Sequence, residues 1–325
     1  MKRTERNTYQ LQLLATLLLL ITAFVLSACS SDDTNTTPNA ANDSEIRFDV
    51  GVWNMMEGTR ATTFDGGTLT SGSFICTAYD ANTTTVNSVA NISGTTVNWN
   101  STNSSWEFNG GSRYWPASGS LDFFAYMPAT LPSYITVGPN YSAEHDVTFT
   151  CTSLPMTHAT QGNELKELVY AMALGQDKAG TNAITQPTPG QVALTFQHPF
   201  SRIKLQLSST QAAIHINTIT LKSIHNNGSY SHTGGWTPSG DANFVATLDA
   251  DFSANDDIGT FIMIPQTWAG EIEVEAVWNV WGESKTNTVT ATVPTTWVAG
   301  RSYTYTFTIS ETDLKVDTEK FTEQW

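Results

Sequence analysis

Strict alternation of apolar and polar residues is the strongest pattern in this sequence. Because successive side chains of a β-strand point to opposite faces, a period of two is typical of strands with one buried and one wet face. The clearest alternating sets are Ile272, Val274, Ala276 and Trp278, which alternate with glutamates, and Tyr303, Tyr305, Phe307 and Ile309, which alternate with threonines. Similar sets occur at Ile46, Phe48, Val50 and Val52, at Val192, Leu194 and Phe196, and at Ile203, Leu205 and Leu207. The sequence therefore predicts an all-β, sandwich-like fold.

The length of the alternating region indicates more than one domain. Residues 45–325 form a stretch more than twice as long as one β-sandwich of about 100 residues. A polar passage rich in proline and glycine, residues 175–190, separates a strand-like segment at 168–171 from the strand that begins at Val192. We therefore predict two β-sandwich domains, residues 45–190 and residues 191–325.

The N-terminal segment has the organisation of a lipoprotein signal peptide. A basic tip precedes an apolar run from Leu11 to Leu26, and the small residues Ser27 and Ala28 come directly before Cys29. The run is shorter than the roughly 20 residues of a membrane-spanning helix, so we favour cleavage after residue 28 over a transmembrane anchor. Diacylglycerol on Cys29 and an acyl chain such as palmitate on its new amino group would give the two hydrophobic signals that stable anchoring takes.

Residues 29–44 are predicted to be a flexible tether. After Cys29 this stretch holds only Ser, Thr, Asn, Asp, Pro and Ala, which cannot form a core. The acidic pair Asp32 and Asp33 follows shortly after Cys29 and resembles the surface-export signal of Bacteroidetes lipoproteins. The expected location is therefore the outer membrane, on the cell surface.

The charge of the chain argues against nucleic acid and against anionic lipid surfaces. The formal net charge is -15, and loss of residues 1–28 removes three basic residues and one acidic residue, which leaves -17. Binding to phosphates needs clusters of Lys and Arg, which this sequence lacks. We expect no nucleic-acid partner.

Residues with catalytic or metal-binding chemistry do not form a recognisable site. The six histidines lack the three- or four-residue spacing of a helical metal site, and the glutamates at 271, 273 and 275 fall on the wet face of one strand. There is no Gly-x-Ser-x-Gly elbow and no phosphate-cradling loop. We predict no enzyme, no catalytic residue, no metal and no cofactor.

Two cysteines remain after Cys29. Cys76 and Cys151 are enough for a single disulfide, which an exported compartment would permit. Two small buried thiols are the alternative, because the sequence does not give the Cα separation that a bridge requires.

Five short segments, taken in order, resemble the fimbrillin family of Bacteroidetes. They are Tyr-Trp-Pro at 114–116, Leu-Asp-Phe-Phe-Ala-Tyr at 121–126, Leu-Val-Tyr-Ala at 168–171, the segment from Val192 to Leu205, and Trp-Val-Ala-Gly-Arg-Ser-Tyr-Thr-Tyr at 297–305. Their order and spacing span most of the mature chain. The resemblance implies two transthyretin-like β-sandwich domains in a lipoprotein that builds surface fimbriae and mediates adhesion.

The resemblance also implies a mode of assembly. In fimbrillins a protease cuts after an Arg in the loop that follows the first strand, the strand leaves, and the groove accepts a strand from the next subunit. Here the loop carries a single arginine, so the cut would fall between Arg60 and Ala61. The removable segment is then residues 45–60, with Ile46, Phe48, Val50 and Val52 as its inward side chains. An ordinary solvated loop residue is the other interpretation of Arg60.

A candidate donor strand lies at the opposite end of the chain. Residues 310–325 continue past the last clear strand, with Leu314, Val316 and Phe321 spaced by polar residues. A final strand packed on its own domain is the alternative for this tail. The expected partners are other fimbrial subunits, by strand exchange, and the outer membrane, through the lipid.

Two further functions share the predicted fold. A surface glycan-binding lipoprotein would use some of the ten tryptophans as stacking platforms, with Trp236, Trp278 and Trp281 as the candidates. An anchor subunit would keep its lipid and would differ in whether Arg60 is processed. A host or glycan ligand is therefore an expected partner in addition to the other subunits.

Overall fold

The computed structural model describes residues 45–52, 67–68, 70–138, 146–157, 167–181, 189–208, 214–253, 256–280, 283–309 and 314–324. The predicted signal peptide, the tether, Arg60 and Ala61 lie outside these residues. The described residues are arranged in strands and turns, without a helix, which confirms the all-β prediction. Within the same residues, no helix of the length and apolarity needed to cross a bilayer is found.

The described strands all belong to one unit, Ser44–Trp325. In chain order they are β1 Arg47–Val52, β2 Gly67–Thr68, β3 Ser73–Asp80, β4 Thr95–Asn100, β5 Ser105–Phe108, β6 Leu121–Met127, β7 Ile135–Val137, β8 Thr148–Cys151, β9 Val169–Gln176, β10 Gln191–Phe196, β11 Ser201–Leu207, β12 Ile214–Ile224, β13 Asn227–Ser231, β14 Gly235–Ser239, β15 Ala242–Phe252, β16 Asp257–Met263, β17 Thr267–Trp268, β18 Glu271–Val280, β19 Glu283–Thr292, β20 Thr295–Thr296, β21 Arg301–Ile309 and β22 Leu314–Gln324.

The first pair of sheets encloses the core of the N-terminal half. A five-stranded sheet with the order β5-β4-β3-β6-β9 shares this core with a three-stranded sheet, β10-β1-β2. Phe48 of β1 meets Phe74 and Phe123 of the larger sheet edge-to-face, at centroid distances of 5.4 and 6.0 Å. Strand β1 therefore contributes one face to the core, and its other face is exposed.

The second pair of sheets forms the C-terminal core. Its sheets have the orders β16-β11-β21-β22 and β15-β12-β18-β19. The alternating apolar residues of β11, β12, β18 and β21 meet between them. Trp268 and Trp297 pack at the same core with ring centroids 5.0 Å apart. The strands predicted from alternation thus bury the expected faces.

An antiparallel sheet joins the two halves, and we call it the mixed sheet because it takes strands from both of them. Its order is β14-β13-β8-β7, so two of its strands come from the first half of the chain and two from the second. A third core lies against it, where the Tyr170 and Tyr230 hydroxyl groups are 2.7 Å apart. Moreover, β10 packs in the first core although it follows residue 190. The division at residue 190 stays a prediction, and the packing of β10 favours a boundary between Phe196 and Ser201.

The two cysteines are free thiols in different cores. Cys76 lies in the first core and Cys151 in the core beside the mixed sheet, and both are buried. Burial raises the pKa of both thiols, that of Cys151 to about 12. Of the two alternatives, the structure has two buried thiols.

Candidate functional site

The first strand is held by its alternate side chains. Ile46, Phe48 and Val50 are 3%, 6% and 1% exposed and all belong to the first core. Val52 is the last residue of β1, and its side chain is not among those described. Burying three side chains of this size stabilises the fold by roughly 5 to 9 kcal/mol, so β1 is a substantial part of the sandwich.

The two edges of β1 differ in their hydrogen bonding. On one edge, β1 pairs in parallel with β10 over its whole length, from Arg47–Gln191 to Val52–Phe196. On the other edge, β2 pairs only with Gly51 and Val52. At the start of this edge the Ile46 N–H donates to the Arg113 carbonyl, at 2.8 Å. In the described chain, the part of this edge between the Ile46–Arg113 hydrogen bond and the pairing with β2 therefore has no partner strand; we call these two contacts the closures of the edge.

A cleft of about 530 Å³ occupies that gap. It lies between β1 and β5, which is the edge strand of the larger sheet in the described chain. The side chains of Phe48, Trp99, Trp106 and Phe108 line it together with several polar residues. No feature of the sequence marks this cleft, because it arises where the edges of two sheets meet.

The C-terminal tail forms the edge strand β22. It pairs antiparallel with β21 from Ile309–Leu314 to Arg301–Gln324. Leu314 is buried in the C-terminal core and Val316 packs partly against it, whereas the side chain of Phe321 is not described. The structure thus places the tail on its own domain, and donation to another subunit would require β22 to leave β21.

Of the three tryptophans proposed as stacking platforms, only Trp236 has a described side chain. Trp236 packs against Phe200 and Tyr230 at centroid distances of 5.0 and 5.5 Å, and its indole N–H donates to the Pro199 carbonyl. Trp278 lies in β18 with its side chain undescribed, and Trp281 is outside the described residues. Trp236 is therefore a packing residue.

A buried acid–base pair lies next to β9 and β10, and the sequence gives no sign of it. Glu167 precedes β9 and His198 follows β10, and the Glu167 Oε1–His198 Nδ1 distance is 2.8 Å with both side chains 0% exposed. Burial raises the pKa of the Glu167 carboxyl, although His198 and Arg202 act to lower it. Its closed surroundings favour a role in joining β9 to β10 rather than a site open to a substrate.

A second histidine pairs with two carboxylates at the surface. His215 of β12 contacts Asp251 at 2.8 Å and Asp249 at 3.1 Å through its two ring nitrogens. These hydrogen bonds raise the pKa of His215. Each ring nitrogen contacts a different aspartate, and within the described residues no group of three or more His, Cys, Asp or Glu side chains is placed to hold a metal ion.

Comparison with known proteins agrees with this architecture. The family model described as fimbrillin-like matches residues 59–325. A candidate cell adhesion protein from Bacteroides uniformis superposes with a TM-score of 0.53 at 17% identity, over 87% of this chain and 98% of its own. One from Bacteroides ovatus gives 0.51 at 17% identity, over 85% and 95%. At this identity the structures show a shared fold. No curated protein matches the sequence.

Proposed function

The chain belongs to the fimbrillin-like family, and on that premise we propose that it is a fimbrial subunit that joins its neighbours by strand exchange after proteolytic removal of β1. The family itself gives the coarser role, that of a structural, non-enzymatic protein of cell-surface fimbriae and adhesion. The match begins at residue 59, so β1 lies before the part of the chain that the family model covers.

The observation that carries the proposal is the position of β1. Its inward side chains fill the first core, and its full-length hydrogen-bonding partner is a single strand, β10. A cut at Arg60 would separate β1 from the strands β2 to β22, because β1 ends at Val52 and the other strands begin at Gly67 or later. Loss of β1 would bare the edge of β10 and an apolar groove, a surface that readily accepts a strand from another chain.

The donor in this proposal is the C-terminal strand. In the described part of the chain, β22 pairs with β21 alone, so one ladder has to open for it to leave. Its first residues, Leu314 and Val316, have the alternation that Phe48 and Val50 show in β1. The same apolar groove can therefore take either strand.

Lipidation completes the proposal. Cys29 would carry the acyl chains in the outer membrane until the cut at Arg60 frees the subunit from its anchor. A subunit in which Arg60 stays intact would remain at the membrane as an anchor. Stalk and anchor roles thus differ at one peptide bond.

The experiment is N-terminal sequencing and intact mass of protein sheared from its native cells, together with electrophoresis of unboiled samples. We expect a new N-terminus at Ala61 and a ladder of detergent-resistant multimers. Arg60→Ala should abolish both, whereas Lys178→Ala, at an exposed basic residue of another loop, should keep both. A lipidated Cys29 on a monomeric wild-type chain would contradict the stalk role.

A further inference from the structure

The cleft between β1 and β5 has the size and position of a small-ligand site. Its volume of about 530 Å³ falls within the range of roughly 300 to 1,000 Å³ that small-molecule pockets occupy. One wall is β1 and the other is β5, so strands of both sheets shape it. Its shape is therefore fixed by the scaffold of the sandwich.

The lining of the cleft combines aromatic rings with small polar groups. Trp99 is half-buried and packs on Trp106, with ring centroids 5.6 Å apart at 64°. The polar part of the lining includes Asp49, Ser104, Ser105, Ser112 and Gln191. Aromatic faces with a few polar groups suit a ligand that has both C–H faces and hydroxyl groups.

The backbone of β1 adds hydrogen-bonding groups to the same wall. Backbone groups alternate in direction along a strand, so the N–H and C=O of Phe48 and Val50 point to the same side as the Ile46 N–H, away from β10. Within the described residues, no strand pairs with Phe48, whereas Val50 adjoins the pairing of β1 with β2. The N–H and C=O of Phe48 can therefore donate to and accept from a ligand in the cleft.

The two closures limit the length of the ligand. The Ile46–Arg113 hydrogen bond closes one end and the pairing of Gly51 with Thr68 closes the other. The open edge between Ile46 and Gly51 spans about 16 Å at the strand rise of roughly 3.3 Å per residue. A peptide strand would have to continue past both closures, whereas one or two sugar rings fit between them.

The charge of the lining favours a neutral ligand. Glu45, Asp49 and Glu107 line the cleft together with one cationic residue, Arg47, which is 3.7 Å from the Glu45 carboxylate. The Glu107 carboxylate already accepts hydrogen bonds from Asn100, Asn103 and Ser105, which lower its pKa and keep it ionised. A negatively charged ligand would be repelled by these carboxylates.

From these features we propose that the cleft binds a neutral oligosaccharide, with one ring stacked on Trp99 and its hydroxyl groups bonded to the polar lining and to the backbone of β1. This adds an adhesion ligand to the fimbrial role. Because β1 forms one wall, the site exists only in the uncut chain, a consequence that rests on the proposed removal of β1. Binding to the uncut chain itself does not depend on assembly.

The test is saturation-transfer NMR on the uncut mature chain. The probes are neutral di- and trisaccharides of glucose, galactose, mannose, fucose and N-acetylglucosamine. An anionic sugar, 3′-sialyllactose, and a peptide of residues 314–324 represent the two other classes of ligand. We expect a neutral sugar to bind, Trp99→Ala to weaken it about tenfold, which is within the energy of one aromatic contact, and Trp99→Phe to retain most of it.

Two further variants separate loss of the site from loss of the fold. Ser112→Trp should block the cleft from an exposed position, and the exposed Val298→Ala, outside the cleft lining, should bind as wild type. Thermal unfolding checks each variant. Failure of every neutral probe, or binding that Trp99→Ala and Ser112→Trp leave unchanged, would overturn the proposal. Preferential binding of sialyllactose or of the peptide at this site would overturn the neutral-sugar assignment.

Discussion

The two end strands of the described chain are held in different ways. Strand β1 is the middle strand of its sheet in the described chain, with three buried side chains and a full parallel ladder to β10. Strand β22 lies at the edge of the second, with Leu314 buried and Val316 only partly so. Among the described side chains, β1 therefore buries more apolar groups than β22 does, so we expect β1 to be the harder of the two strands to release.

The largest expected effect is the loss of stability when a buried side chain of β1 is truncated. Phe48→Ala should lower the free energy of unfolding of the uncut chain by about 3 to 5 kcal/mol, because it leaves a cavity among several aromatic rings. The same substitution should leave polymers of the cut chain unchanged, since they no longer contain β1. Urea unfolding and unboiled electrophoresis measure the two effects. A loss below about 1 kcal/mol would mean that β1 is not a core strand.

A smaller effect is expected at β22. Leu314→Ala should destabilise the uncut chain by about 2 to 3 kcal/mol, near the low end for such truncations, because the strand is at an edge. Unlike Phe48→Ala, it should also shorten the multimer ladder, since the donor strand loses its main apolar side chain. The comparison would fail if both substitutions affected the uncut chain and the polymer alike.

The cysteines report which core opens when β1 leaves. Cys76 shares the core of β1, whereas Cys151 lies in the core beside the mixed sheet. We expect a thiol reagent to label about one cysteine per chain after the cut and none before it, because a buried thiol of raised pKa reacts only on exposure. The variants Cys76→Ala and Cys151→Ala, each with Cys29→Ser, assign the signal. Labelling of Cys151 first would contradict the location of the groove.

The smallest expected effect is a pH dependence of stability caused by His215 of β12, which lies on neither of the two end strands. The raised pKa of His215 means that its charged form stabilises the fold at pH values below about 6.5. This contribution is lost as the pH rises through the folded-state pKa. His215→Gln should therefore flatten the stability curve slightly in this range, as urea unfolding at several pH values would measure. A steep pH dependence that survives in His215→Gln would have another source.

The sequence predicts the faces of the strands better than their partners. The alternation at Phe48 and at Val274 correctly indicates burial, because the period of two follows directly from strand geometry. It gives no information on pairing, so the parallel contact of β1 with β10 has no counterpart in the sequence pattern. The mixed sheet that takes strands from both halves was missed for the same reason.

The candidate sites divide in the same way. Ile46 and Leu314 were identified from local patterns, and both are buried. The Glu167–His198 pair and the cleft between β1 and β5 depend on residues that are brought together only by the tertiary fold. His198 in particular looks like an ordinary strand-end residue until Glu167 is seen beside it.

The central claim, that β1 must leave for subunits to join, is tested most directly by tying β1 to β10. Asp49 and Ala193 are opposite residues on these strands, and the strand spacing of about 4.8 Å suits a disulfide between cysteines placed there. After the cut at Arg60, the oxidised Asp49→Cys, Ala193→Cys protein should stay monomeric, and reduction should restore the multimer ladder. A ladder of equal length from the oxidised protein would contradict strand exchange at this groove.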